Sequence, residues 1–190
     1  MPTFKILNGF DNNTLELFRS IWKESDLNDS EYFTKITADE YQDYVFIKKH
    51  HKLYDYFKSY FKFDFTLLFL INQPYSGLGP IHTDGSRKCA INFPIQVDLK
   101  NSNFIAAKTF DLKCTIRAPE KGEPINNDAL RFEYEPQKYD FYNLEKPILV
   151  STKVAHSAYN YSKDQRVLLS LTPNNMSYYE VGLELPKEWI

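Results

Sequence analysis

A chain of 190 residues is long enough to bury one sizeable core and too short to divide comfortably into two, so a single domain over residues 1–190 is expected. The 23 basic and 25 acidic side chains leave a net charge of -2, which provides no broad positive field for a phosphate backbone, and no nucleic-acid partner is expected. Two cysteines, Cys89 and Cys114, are too few for a disulfide framework, and no basic segment leads into an apolar run and cleavage site near Met1, which points to a reducing, cytoplasmic setting.

Residues 11–24 carry the first regular pattern. Leu15, Phe18, Ile21 and Trp22 recur at helical spacing, with Asp11 or Asn13 placed to cap. Thr37-Ala38-Asp39-Glu40 then has the spacing of a capping box, and Val45, Leu53, Phe57 and Phe61 follow as an apolar stripe. A long helix is therefore predicted over 37–62, with His50 and His51 on it facing solvent. Residues 1–64 read as mostly helical support.

From residue 65 the pattern changes. Segments 66–71, 89–97, 129–133, 148–154 and 166–172 are rich in Val, Ile, Leu, Phe and Thr, with turn signals at 75–80 and 124–128 between them. The most apolar stretch, 65–71, is far below the roughly 20 residues a membrane helix needs, so no membrane partner is expected. The aromatic residues, 14 Tyr and 15 Phe, are spread along the chain and read as core and cleft walls, not as a base-stacking motif. Many short strands over 65–173 indicate a mainly β sandwich or closed barrel, between which composition does not choose. Residues 174–190 form a C-terminal extension. Asn12, Asn160 and Asn175 begin glycosylation sequons that read as chance matches in an unsecreted chain.

The chain has four histidines, and the adjacent pair His50-His51 leaves two isolated ones. His82 begins His82-Thr83-Asp84, and His156 is followed ten residues later by Arg166. Two imidazoles and a carboxylate fill one face of an octahedral Fe(II) and leave three positions for a chelating cosubstrate and dioxygen. Strand parity supports the grouping. Thr152, Val154 and His156 share a face if the strand runs unbroken to His156, and Arg166, Leu168, Ser170 and Thr172 share one on the last strand. An inward arginine needs an anion, which a carboxylate supplies through a bidentate pair.

This order of parts, over about residues 67–173, resembles the Fe(II)/2-oxoglutarate-dependent oxygenase superfamily. The resemblance implies a double-stranded β-helix, the jelly roll of cupin-like barrels, preceded here by N-terminal helices. It implies His82, Asp84 and His156 as metal ligands, Arg166 on the far carboxylate of 2-oxoglutarate, Ser170 assisting it, and Asn72, Tyr75 and Gly79 as the approach to the site, with Tyr75 as the candidate contact to the cosubstrate. Arg87 and Asn92, close to the triad in sequence, are candidates to orient substrate. Branch signatures narrow the reading: the Gly-Gly-Glu-Thr signature of collagen-type prolyl hydroxylases is missing, and Thr172 stands where nucleic-acid demethylases carry a second arginine. Leu168 interrupts the Arg-x-Ser pair of plant and antibiotic-pathway members, and Asp84 occupies the position that halogenating members leave small. Hydroxylation of an amino acid, peptide or small metabolite, with O2 consumed and succinate and CO2 released, is the implied activity. A cupin-like metal isomerase and a non-catalytic jelly-roll binding module are the alternatives; the former usually presents three or four histidines, the latter lacks a ligand.

Overall fold

The structure, a computed structural model, describes residues 3–37, 41–85, 87–108, 130–132 and 136–190. In chain order the elements are β1 (Phe4–Ile6), α1 (Asn12–Glu24), β2 (Phe33–Thr37), β3 (Gln42–Ile47), α2 (Lys52–Tyr60), β4 (Phe65–Asn72), β5 (Gly77–Leu78), β6 (Ile81–Thr83), β7 (Cys89–Gln96), β8 (Ser102–Ala107), β9 (Leu130–Phe132), β10 (Tyr139–Tyr142), β11 (Ile148–Ser151), β12 (His156–Asn160), β13 (Arg166–Pro173) and α3 (Tyr178–Glu184). The strands build two antiparallel sheets, one in the order β1-β11-β7-β13-β4-β3-β2 and the other in the order β10-β8-β12-β6-β9, with β5 added beside β12. After β4 the chain winds between them, with β6 in the second sheet, β7 in the first, β8 in the second, β11 in the first, β12 in the second and β13 in the first. That alternation is the winding of a jelly roll, or double-stranded β-helix.

The apolar runs are strands covered on both faces. Along β4, Leu67, Phe69 and Ile71 pack with the helices, while Leu68 and Leu70 point between the sheets. β13 divides in the same way, with Val167, Leu169 and Leu171 toward the helices and Leu168 between the sheets. Period-2 alternation with both faces apolar gives the near-continuous hydrophobic stretches of the sequence. Pro94 lies inside β7, where it cannot donate to the ladder. The register between β13 and β7 slips there, from Leu168↔Pro94 to Val167↔Gln96, so the proline sits at a bulge.

The front of the chain is less helical than its sequence pattern predicts. α1 matches, and its cap is Asp11, whose carboxylate accepts from the N–H groups of Asn13 and Thr14 at 3.1 and 3.0 Å. The long helix over 37–62 does not form. Thr37 ends β2, and residues 38–40 of the expected capping box lie outside the described residues. Gln42–Ile47 is a strand whose odd positions, Asp43, Val45 and Ile47, are buried. Only Lys52–Tyr60 is helical, capped by His51, whose Nδ1 accepts from Leu53 N at 3.2 Å; His51 is buried and not solvated. Adjacent Val45, Phe46 and Ile47 favour a pleated strand between β2 and β4, and this tertiary pairing overrides the helical stripe.

The C-terminal extension completes the core. Ser177 and Glu180 form a capping box at the start of α3, and Val181, Leu185 and Trp189 pack into the helix-side core. Among the described residues no helix is long and apolar enough to cross a membrane.

Candidate metal centre

β6 and β12 are neighbours in the second sheet, and their register pairs His82 directly with His156. The two ring centroids are 4.6 Å apart. Each imidazole makes the same backbone contact: Nδ1 of His82 lies 2.8 Å from Pro80 O, and Nδ1 of His156 lies 2.9 Å from Val154 O. A carbonyl oxygen only accepts, so each neutral ring carries its proton on Nδ1 and presents Nε2 as a free lone pair. Asp84 follows β6, and its Oδ1 stands 3.5 Å from His82 Nε2 and 3.7 Å from His156 Nε2. The three side chains each place one ligand atom within 4.8 Å of the others.

Charge reinforces this geometry. Burial alone raises the Asp84 carboxyl, but the His82 imidazole and the Arg87 guanidinium beside it reverse the effect and hold it well below the usual carboxylate range. His156 is pushed down to about 4 by its burial and by His82, with Asp84 opposing them. The carboxylate is ionised and the buried imidazole neutral at pH 7. Two imidazole lone pairs and a carboxylate oxygen fit a divalent first-row metal such as Fe(II), with both rings oriented by backbone carbonyls in the manner of metal-binding histidines.

The turn between β11 and β12 holds the Asp84 loop. Asp84 N donates to Thr152 O at 2.8 Å, Thr152 Oγ1 donates to Arg87 O at 2.6 Å, and Lys153 Nζ reaches Asp84 O at 2.8 Å. This turn corrects the parity argument for His156. The strand does not run unbroken from 148 to 156; it ends at Ser151, and the chain crosses to the other sheet before His156. Val154 accordingly packs with Ile81 and Ile105, not toward the triad.

A cavity of about 110 Å3 lies between the sheets, lined by His82, Asp84 and His156 from one side and by Arg166, Asn72 and Leu168 from the other. Arg166 is 3% exposed and donates from one terminal nitrogen to Asn72 Oδ1 at 2.7 Å. Its Nε has no hydrogen-bond partner, and no carboxylate among the described residues pairs with it. Burial lowers its guanidinium to about 10, which leaves it charged at neutral pH.

The remaining sequence candidates divide. Asn92 and Arg87 line the cavity, Asn92 with a buried Oδ1 that has no partner. Ser170 shares the face of Arg166 and Leu168 and is paired in register with Asn92; it is fully buried, its Oγ is unpartnered, and it is not among the lining residues. Tyr75 is a correction. It occupies a turn with φ of 54°, its N–H bonded to Ser162 O, and its ring is 70% exposed and lines no part of the cavity. The turn begins just past the end of β4 and directs the ring outward, so Asn72, the last residue of that strand, is the one that meets Arg166. Gly79 also lines the cavity, where a Cβ would come within 3.3 Å of Ser157 Oγ and 3.4 Å of Ala158 O. Gln42 and Tyr44, on β3, also line the cavity and were missed because that segment reads as helix. The turn at 124–128 and Cys114 lie outside the described residues.

No protein-family model matches the chain, and no curated protein matches its sequence. Solved structures do share its fold. SnoN, a non-heme alpha ketoglutarate dependent epimerase from nogalamycin biosynthesis, is similar with a TM-score of 0.60 and 11% identity, over 91% of this chain and 79% of that one. EvdO2 from Micromonospora carbonacea var. aurantiaca gives 0.59 and 11% over 91% and 87%. HygX from Streptomyces hygroscopicus, solved with nickel and 2-oxoglutarate bound, gives 0.57 and 9% over 93% and 85%. At such identities the likeness establishes the fold: a mainly β, cupin-like jelly roll.

Proposed function

We propose that this chain is one catalytic unit, an Fe(II)- and 2-oxoglutarate-dependent oxygenase that hydroxylates a small molecule or peptide side chain. The balanced reaction takes substrate, 2-oxoglutarate and O2 to hydroxylated substrate, succinate and CO2. His82, Asp84 and His156 are the metal ligands in this reading. When bound, the iron supplies the activation of dioxygen. Arg166 and Asn72 bind and orient the distal carboxylate of 2-oxoglutarate, and Leu70, Leu168 and Phe104 keep the cavity walls apolar. Asn92 offers an unpartnered acceptor to whatever occupies the cavity.

The observation that carries the reading is Arg166: a buried guanidinium that lines the cavity holding the triad and pairs with no carboxylate among the described residues. A buried cation without a counter-charge is costly, and a dicarboxylate cosubstrate offsets that cost through a charge-assisted pair. The likeness to SnoN, an alpha ketoglutarate dependent epimerase, supports the cofactor class and makes hydroxylation the step to test directly. That test is succinate release from Fe(II), ascorbate and 2-oxoglutarate across a panel of amino acids, peptides and small metabolites, with product mass measured. A gain of one oxygen in a substrate that also stimulates succinate release supports hydroxylation; stimulated succinate with no added oxygen assigns a different outcome.

A further inference from the structure

Asp84 presents its two oxygens to different partners. Oδ1 faces His82 and His156, whereas Oδ2 accepts from Arg87 Nε at 2.5 Å. The carboxylate is 14% exposed and the guanidinium 24%, so the pair is largely withdrawn from water. Ion pairs three residues apart on a solvated surface contribute little. This one is fixed at both ends by Thr152, itself buried, which accepts from Asp84 N through its carbonyl and donates to Arg87 O through its hydroxyl. The rotation that would bring Oδ2 toward the imidazoles is thus opposed by a short charge-assisted hydrogen bond on a pinned backbone.

We infer that Arg87 is a positioning residue that makes Asp84 a one-oxygen metal donor. The consequence is a coordination count. Two imidazoles and one carboxylate oxygen leave three of six octahedral positions open, while a two-oxygen carboxylate leaves two. With a metal bound, a chelating keto acid would take two of these, and the third would stay open to dioxygen only while Arg87 holds Oδ2 away. This assigns Arg87 to the carboxylate ligand and not primarily to substrate. The inference rests on the metal reading proposed above.

The test uses Co(II) as the probe and reads the ligand carboxylate by infrared difference spectroscopy, loaded minus unloaded, in protein labelled with 13C-aspartate. Asp84→Ala identifies which bands belong to this side chain. In the parent, the antisymmetric and symmetric stretches of Asp84 are expected far apart, the signature of a one-oxygen donor. In Arg87→Met they are expected to move together as the second oxygen binds, with Co(II) still bound one per chain. Arg87→Lys, which retains a cationic donor, is expected to keep the parent's wide separation. A narrow separation in the parent, or an Arg87→Met spectrum indistinguishable from the parent's, overturns the inference and leaves the metal reading standing. A parent that takes up no Co(II), or whose bands survive Asp84→Ala, defeats the metal reading itself. The parent measurement decides even if Arg87→Met fails to fold.

Discussion

His82 and His156 stand opposite each other on adjacent antiparallel strands, so a single cross-strand pair brings together two imidazoles far apart in the chain. Directly paired residues hold their Cβ atoms about 5 Å apart without help from loops, and two backbone carbonyls then fix which nitrogen of each ring is free. The candidate ligand atoms are therefore brought together by the fold itself. His82→Ala, Asp84→Ala and His156→Ala are each expected to weaken Fe(II) binding by more than the roughly 10- to 100-fold lost when only a supporting contact is removed. His50→Ala leaves metal affinity unchanged. His51→Ala does the same but costs about 1 kcal/mol of stability through its lost helix cap. Calorimetric metal titration and urea unfolding of the five variants measure both quantities.

The burial of His156 sets an acid sensitivity in the metal-free protein. Its folded pKa of about 4 lies below the ordinary 6.5 of an imidazole. As pH falls below about 6.5 the unfolded chain takes up a proton that the folded chain refuses, so stability declines down to pH 4 and the decline then levels off. Between pH 7 and pH 5 this amounts to about 2 kcal/mol at about 1.4 kcal/mol per unit. Asp84, whose folded pKa is depressed, contributes stability that is lost only below its ordinary value of 3.8, a separate window. Urea unfolding at pH 7 and pH 5 is expected to show the loss in the parent and a smaller one in His156→Gln. The comparison with the variant is needed because burial also lowers His51, which acts with the same sign.

Asn160 ties the turn after β4 to the turn before β13. It is fully buried, donates to Gln73 O at 3.0 Å and Asp164 O at 2.9 Å, and accepts from Ser102 Oγ at 2.6 Å and Ser162 N at 3.2 Å. Asn160→Ala strands several of these groups and is expected to destabilise the protein by about 2 to 4 kcal/mol. Its sequon is inaccessible in the folded chain. Asn12→Ala, on the exposed first turn of α1, is expected to change stability by less than about 0.5 kcal/mol.

What the sequence made legible follows from how local each signal is. The facing of Arg166 and Leu168 to one cavity was legible because strand parity puts them on one face whatever the neighbours do. β3 was not legible. Its residues satisfy helical and strand periods at once, and the choice is made by pairing with β2 and β4, which no local window contains. The crossing between β11 and β12 was hidden for the same reason: the apolar residues continue through Val154 while the chain changes sheets. Tyr75 failed on a backbone conformation, since a positive φ in a tyrosine has little sequence signature. Arg87 was placed near the site for its proximity to Asp84, but its partner on the carboxylate appears only once the Thr152 turn is in place.

The most direct test separates anion binding from metal binding at Arg166. Titrating 2-oxoglutarate anaerobically into Fe(II)-loaded protein develops a metal-to-ligand absorption band whose midpoint reports cosubstrate affinity. Arg166→Ala is expected to keep Fe(II) and lose about 2 to 4 kcal/mol of cosubstrate binding, roughly 30- to 1000-fold, and Arg166→Lys to recover only part because a point charge replaces a planar fork. An Arg166→Ala midpoint equal to the parent's would contradict the account, since the buried guanidinium in the cavity would then have no anion to hold.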